Sequence, residues 1–385
     1  MESFEFYNPV KILFGKEKLQ KTGEMIDSGK RILLLYGGGS IKKNGVYDEV
    51  KLSLADRVLF EFGGILPNPD YETCMKAVEL IKEENLDYIL AVGGGSVIDA
   101  AKFIAAAARY GGSDPWHILS RGIPVKDALS MGCILTLPAT GTEMNSNSVI
   151  SRQSTTEKFA FSSPFSFPEF SILLPDVAGN LPKKQVANGV VDAYIHVLEQ
   201  YLTYPVNAQV QDRFAESILN TLLEVGPVVF ANPKDYDAMS NFMWAATMAL
   251  NGLLSCGVPT DWATHTIGHE LTALYNIDHA RTLAIVLPGL WSVLREKKKD
   301  KLLQYAERVL GISEGTDDER AEKAIAQTEE FFNSMEIGTR LSDYGLGEDT
   351  ADIVADRFDK RRWREMGDRK LVTPAIVRQL LKERV

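Results

Sequence analysis

Five histidines occur in the 385 residues, and four of them fall between residues 190 and 280. Asp192 and His196 stand four apart within the pattern Val190 to Leu202, so a helix stacks both side chains on one face. His265 and His269 repeat that spacing, and His279 follows beyond an intervening loop. One carboxylate with imidazoles is a hard-to-borderline N/O donor set that suits zinc or Fe(II), and it lacks the thiolates of a closed structural zinc site. A single histidine is more often a hydrogen-bonded core residue. Four clustered polar groups in an otherwise apolar region are harder to explain that way. His265-Thr266-Ile267-Gly268-His269 lacks the Glu of H-E-x-x-H, which disfavours a metalloprotease, and no G-x-S-x-G elbow supports covalent acyl chemistry. His117, in Asp114-Pro115-Trp116-His117, lies apart and reads as structural.

A second chemical signal is a short echo. Gly37-Gly38-Gly39-Ser40 and Gly93-Gly94-Gly95-Ser96 each follow an apolar strand and precede a helix-compatible stretch. At the carboxyl end of a parallel strand, glycine lets backbone approach a ligand closely, and free N–H groups at the next helix start favour phosphate. One such loop can be no more than a tight turn; two on neighbouring strands favour a bound pyrophosphate. Neither has the G-x-G-x-x-G spacing, so a variant nucleotide fold is implied. The first strand tip, Tyr36 to Lys43, carries no carboxylate for a ribose 2′-hydroxyl. Gly39, Ser40 and Lys42 offer room, a donor and positive charge for a 2′-phosphate, so NADP is preferred to NAD.

These residues need elements to position them. Ile32 to Tyr36, Val58 to Phe62, Tyr88 to Val92 and Ile134 to Leu137 read as strands, with helical periodicity over Tyr71 to Glu84 and Val97 to Ala108 between them. That alternation predicts a doubly wound, Rossmann-like parallel sheet. After Pro175 and Pro182 helical patterns take over, with expected breaks at Gly226-Pro227 and around Gly252 to Pro259. The expected division is an α/β dinucleotide-binding domain, 1–180, and an all-α metal-binding domain, 181–385. Phe214, Ile218, Leu222 and Val225 form a core stripe by spacing, and Lys297, Lys298 and Lys299 read as a solvated helix face.

The formal charge is −10, which provides no electrostatic footprint for nucleic acid. The N-terminus lacks the form of a secretion signal, and the strongest apolar run, Leu283 to Leu294, is short and holds Pro288, so no membrane partner is expected. Cys74, Cys133 and Cys256 are odd in number and far apart, which fits a reducing, cytoplasmic setting.

Taken together, Gly93-Gly94-Gly95-Ser96-x-x-Asp99-x-x-Lys102, Asp192-x3-His196 and His265-x3-His269-x9-His279 resemble the iron-containing (group III) alcohol dehydrogenases. The likeness runs over the whole chain, including Lys11 to Lys16, Pro67-Asn68-Pro69, Leu137 to Glu143 and Gln185 to Gly189. Within the family it is most similar to bacterial NADPH-dependent aldehyde reductases and butanol dehydrogenases. The resemblance implies an active site in a cleft between the two domains, with metal ligands at Asp192, His196, His265 and His279. It places His269 near the nicotinamide and the metal, assigns cofactor contacts to Thr136, Thr140, Asn145 and Lys158, and puts Asp99 near the nicotinamide ribose. Gly94, Gly95 and Ser96 join Gly37, Gly38, Gly39, Ser40 and Lys42 as the expected phosphate-binding residues. Relatives commonly read Leu-Asp-Pro before the helical domain, whereas this chain has Leu174-Pro175-Asp176.

The expected reaction is hydride transfer between NADP(H), or NAD(H), and a small aldehyde or alcohol, with Fe(II) or zinc as Lewis acid and His269 as proton relay. A homodimer is expected. The alternative is a metal- and nicotinamide-dependent lyase or cyclase resembling dehydroquinate synthase, whose substrates are gripped by several Lys and Arg. From Asp192 to Arg281 this chain offers only Arg213, Lys234 and Arg281, which argues for a weakly charged substrate. Asn147, Trp262 and Cys256 are candidates for shaping the substrate pocket.

Overall fold

Eight strands form in the computed structural model, which describes all 385 residues: β1 (Lys11–Phe14), β2 (Arg31–Tyr36), β3 (Val58–Phe62), β4 (Tyr88–Gly94), β5 (Ser130–Leu137), β6 (Asn147–Arg152), β7 (Glu157–Ser162) and β8 (Phe170–Leu173). All but β6 and β7 join one sheet, ordered β1-β8-β5-β4-β2-β3, in which every pairing is parallel. The central strands are buried on both faces: Ile32 to Leu35 and Ile89 to Val92 are inaccessible to solvent. That is why they read as continuous apolar runs rather than alternating ones. β6 and β7 pair as an antiparallel hairpin that the sequence reading did not expect. Short β1 and β8 were also missed, each being only four residues long.

The chain passes from β2 to β3 on one side and then returns to β4 on the other side of β2. The order of the sheet therefore reverses at the β2/β4 pair, the place where open α/β sheets bind ligands. The helix Tyr71–Glu83, capped by the Asp70 carboxylate accepting from the Thr73 N–H at 2.9 Å, leads back to β4. The helix Gly95–Ala108 then starts directly from the last residue of β4. Pro175 opens a single turn, Pro175–Ala178, where its missing N–H costs nothing.

The chain divides into two units, one of Tyr7–Leu181 with Pro233–Met243, the other of Met1–Phe6, Pro182–Asn232 and Trp244–Val385. Two segments thus fall on the opposite side from a simple division at 180. Met1–Phe6 belongs with the helices because the Glu2 N–H donates to the Gly257 carbonyl at 2.9 Å and Tyr204 Oη donates to Glu2 at 3.0 Å. Pro233–Met243 belongs with the sheet; a Cβ on Gly179 would lie 3.1 Å from the Pro233 carbonyl.

Three local expectations fail in the helical unit, each overruled by packing. Gly226-Pro227 does not break a helix: Gln209–Ala231 runs through it. A Cβ at Gly226 would lie 2.8 Å from Val190 Cγ1, so the glycine allows close approach to the helix Lys183–Tyr201. On the same helix the buried stripe is Ala215, Leu219, Leu222, Gly226 and Val229, while Phe214 is exposed. This helix has the length and apolarity of a membrane span, but Asp212 and Glu216 on it pair with Lys301 and Arg308.

The third failure concerns the lysine run on the helix Arg295–Arg308. Successive helical residues point about 100° apart, so one of three can face inward. Lys298 does: it is buried and donates to Asp261 at 2.6 Å, Leu202 O at 2.9 Å and Asp368 at 3.2 Å. Burial disfavours its charge, but Asp261 and Asp368 outweigh burial and hold the ammonium above its usual pKa. Lys298→Met should leave two buried carboxylates without their cation and destabilise the helical unit by about 3–5 kcal/mol, read from its denaturant midpoint. An unchanged midpoint would show that the triad carries no stability.

Candidate metal and cofactor sites

The helix Lys183–Tyr201 presents Asp192, His196 and Glu199, all buried. The helix Ala263–Tyr275 carries His265 and His269, and the helix His279–Val293 begins with His279. Asn276, in the left-handed conformation at φ 54°, ends the middle helix and turns the chain so that His279 returns toward the same place. Asp278, beside His279, accepts from Lys184 at 2.8 Å and Asn188 at 2.9 Å, which docks the start of its helix onto the helix that carries Asp192.

Asp192 Oδ1 lies 3.8 Å from His279 Nε2 and 4.0 Å from His196 Nε2. Ligand atoms of Asp192, His265 and His279 all lie within 4.8 Å of one another. The His196 and His265 rings stack at 4.7 Å, and His279 is 5.1 Å from each of His265 and His269. Metal bonds of about 2.0–2.1 Å give donor separations of roughly 3.3 Å in a tetrahedron, so small shifts would bring these groups onto one divalent ion. Burial pushes His196 down to about 4 despite Asp192, leaving it neutral, the form that ligates. The donor types, N/O with one carboxylate, fit Fe(II) or zinc.

Glu199 is the residue that sequence reasoning missed here. Its carboxylate accepts from His265 Nδ1, from the Thr264 N–H at 2.8 Å and from the His265 N–H at 3.3 Å. With Nδ1 held by Glu199, Nε2 is the ring nitrogen that would ligate a metal, as in the carboxylate–histidine–metal pattern. Asp261 adds the Ala263 N–H at 2.9 Å, so two buried carboxylates take the first-turn N–H groups of the helix Ala263–Tyr275. The signal was available, because Glu199 is three residues beyond His196 on the same helix face. Trp262 packs its ring against His265 at 5.2 Å and His196 at 6.3 Å. The Cys256 thiol instead donates to its own loop at Gly252 O, 3.3 Å away.

The glycine loops lie in the other unit, side by side at the carboxyl ends of β2 and β4, where Tyr36 pairs with Val92. Gly39 has φ +89°, and a Cβ on Gly38 or Gly39 would meet nothing within 4 Å, so that backbone is open to a ligand. The second loop is tight. A Cβ on Gly94 would sit 3.0 Å from Leu137 Cβ, and one on Gly95 would sit 2.5 Å from Thr140 Oγ1. No side chain caps the helix that starts at Gly95, with Ser96 in its first turn, which leaves that end suited to an anion.

Ser40 and Lys42 lie in one 3-10 turn. The Lys42 ammonium rests over the rings of Tyr36 at 4.9 Å and Tyr47 at 4.7 Å. The corner does hold a carboxylate, contrary to the reading of the strand tip alone: Glu61 of β3 is 3.6 Å from Lys42 Nζ. Burial opposes its charge, but the Tyr47 hydroxyl at 2.6 Å and Lys51 at 3.1 Å hold its pKa below the usual range.

Thr136, Asn145 and Lys158 are buried, and Lys158 Nζ donates to Asn68 Oδ1 at 2.9 Å. Two of the residues expected at the cofactor also make bonds within the protein. Asn145 donates to Gly141 O at 2.9 Å and accepts from the Asn147 N–H at 2.9 Å. Asp99 accepts from Thr142 Oγ1 at 2.6 Å and from the Val149 N–H at 3.0 Å.

A family model for iron-containing alcohol dehydrogenases matches residues 9–175, and one for the C-terminal part of the Fe-containing family matches 186–382. The chain is 52% identical over 382 residues to the NADPH-dependent aldehyde reductase YqhD of Escherichia coli, covering 99% of each. It is similar to a crystal structure of that protein, with TM-score 0.98, 50% identity, and 100% and 99% of the two chains covered. NADH-dependent butanol dehydrogenase A from Thermotoga maritima is also similar, with TM-score 0.95, 37% identity, and coverage of 100% of this chain and 99% of that one.

Glu199→Gln should lower metal affinity about 10–100-fold while the fold persists, measured by competition with a chelator. Wild-type affinity would remove Glu199 from any role in aiming His265.

Proposed function

Because this chain belongs to the iron-containing alcohol dehydrogenase family, we propose that it transfers hydride reversibly between NADP(H) and short-chain aldehydes or primary alcohols. The observation that carries this reading is the set of buried Asp192, His196 and His265 with half-buried His279, one carboxylate and three imidazoles gathered by three helices. Bound to this chain, Fe(II) or zinc supplies Lewis acidity toward a carbonyl oxygen, and the nicotinamide supplies the hydride.

The protein's own groups do the rest. Asp192 contributes a single negative charge to the donor set, which leaves a divalent site with net charge of about +1 for developing alkoxide. Glu199 keeps His265 in the tautomer that ligates through Nε2. The backbones of Gly37, Gly38, Gly39, Gly94, Gly95 and Ser96 bind the pyrophosphate, Thr136, Thr140, Asn145 and Lys158 bind the remainder of the cofactor, and Asp99 lies on the nicotinamide ribose side. Ser40 and Lys42 favour the 2′-phosphate of NADP; Tyr47 and Lys51 engage Glu61 and so reduce its repulsion of that group. NAD(H) is the weaker alternative. His269, whose ring is 5.1 Å from that of His279, holds a proton at its imidazole and passes it to the alkoxide oxygen, giving the product alcohol.

The lyase alternative is not favoured: the relatives compared are an aldehyde reductase and a butanol dehydrogenase. The three free, buried cysteines support a reducing cytoplasmic setting. The exposed Phe4, Phe6 and Tyr7 support a homodimer that would cover them.

Metal-loaded protein should oxidise NADPH with a panel of short aldehydes, faster than NADH, followed by nicotinamide absorbance. No consumption with any aldehyde would overturn the reading, and faster turnover with NADH would overturn the cofactor preference. His265→Ala should lose bound metal and nearly all turnover; a variant retaining both would sink the ligand set. His269→Asn should reduce kcat about 10²-fold or more and alter its pH profile, and an unchanged profile would end the relay role.

A further inference from the structure

Lys102 ends the motif that begins at Gly93, yet nothing in the proposed reaction uses it. Its side chain is fully buried on the helix Gly95–Ala108. Five oxygens surround its Nζ: Thr142 O at 2.6 Å, Thr142 Oγ1 at 2.7 Å, Asn145 O and Asn147 O at 2.8 Å, and Asn145 Oδ1 at 3.1 Å. An ammonium has three N–H groups, fewer than the oxygens around it. The pattern is that of a cation in an oxygen cage, and every oxygen comes from the segment between β5 and β6 or from the first residue of β6.

The cage has no carboxylate of its own. Asp99, one turn earlier on the same helix, reaches it through Thr142 Oγ1, which donates to Asp99 at 2.6 Å and accepts from Lys102 at 2.7 Å. The other Asp99 oxygen takes the Val149 N–H at 3.0 Å, and Ser148 Oγ donates to the Asp99 carbonyl at 2.8 Å. Asp99 therefore fastens the start of β6, and Lys102 gathers the loop before it. Buried carbonyls pointing at one spot would repel and remain unsatisfied without a positive centre. Burial pulls Lys102 down to about 8, with Asp99 as the main opposing influence.

The same helix starts in the second glycine loop, where Gly95 touches Thr140. One rigid helix thus sets both the expected phosphate cradle and the loop that follows Thr140. Resting on the proposed cofactor reading, we infer that Lys102 is a positioning residue: a built-in cation that shapes the 140–147 loop for NADP(H) binding.

Lys102→Ala removes the equivalent of n-propylamine, so the test is chemical rescue. NADPH binding is read by nicotinamide fluorescence, independent of turnover, alongside KM for NADPH, kcat and bound metal. The variant should bind NADPH about tenfold or more weakly, the scale of a lost charge-assisted hydrogen bond, and KM should rise more than kcat falls. Propylammonium should restore much of the affinity, whereas tetramethylammonium at equal concentration should not, and metal content should be unchanged. A merely structural lysine would show no amine-specific recovery, and that result, or wild-type affinity without amine, overturns the inference. Should Lys102→Ala fail to fold, Thr142→Val removes one cage oxygen and the link to Asp99; it should weaken NADPH about threefold to tenfold, and unchanged affinity overturns the inference. Failure of the wild-type protein to bind NADPH would instead remove the functional reading itself.

Discussion

An imidazole offers a metal one nitrogen at a time, and its other nitrogen must be held if the ring is to stay aimed. In this protein that restraint is Glu199 on His265, and much of the helical unit is organised behind it. The same carboxylate takes the Thr264 N–H, and its backbone carbonyl accepts the Asp261 N–H at 2.9 Å. Asp261 in turn takes Lys298 and the Ala263 N–H. One connected set of polar groups therefore caps a helix, stabilises the interior and orients a proposed ligand. The charges sit where the backbone has unsatisfied N–H groups, so their burial is offset by bonds the helix end would otherwise lack.

The sheet unit solves a related problem with the opposite sign. Behind the proposed metal donors, carboxylates gather N–H groups; behind the proposed cofactor loop, Lys102 gathers carbonyls. In both places a helix supplies the charge, and the segment it organises comes from elsewhere in the chain. Glycine completes the arrangement on the sheet side, since the contact between Gly95 and Thr140 has no space for a side chain. Lys42 stays near the surface over Tyr36 and Tyr47, where its charge is accessible to a ligand.

What could be read from sequence was local. The i,i+4 pairs Asp192/His196 and His265/His269 and the glycine runs after β2 and β4 depend on helix pitch and strand ends, so spacing alone located them. Strand β3 was placed to the residue, and β5 was recognised only in its second half, Ile134 to Leu137. What could not be read depended on distant partners. Nothing in Lys297-Lys298-Lys299 marks the middle residue for burial until Asp261 and Asp368 are present. The helix through Gly226-Pro227 continues because Val190 packs there. Nor does sequence show that Asp99 and Asn145 also bond to the β5–β6 segment and the start of β6.

The division of the chain has a consequence for how the protein is made. Its path crosses between units at 6/7, 181/182, 232/233 and 243/244. Met1–Phe6 is synthesised before its seat at Gly257, which follows about 250 residues later in the chain. The amino-terminal segment must therefore stay unclaimed through most of translation, with Phe4 and Phe6 open to chaperones. A tag or extension at that end would act on the last-assembled helical unit rather than on the sheet beside which it lies in sequence.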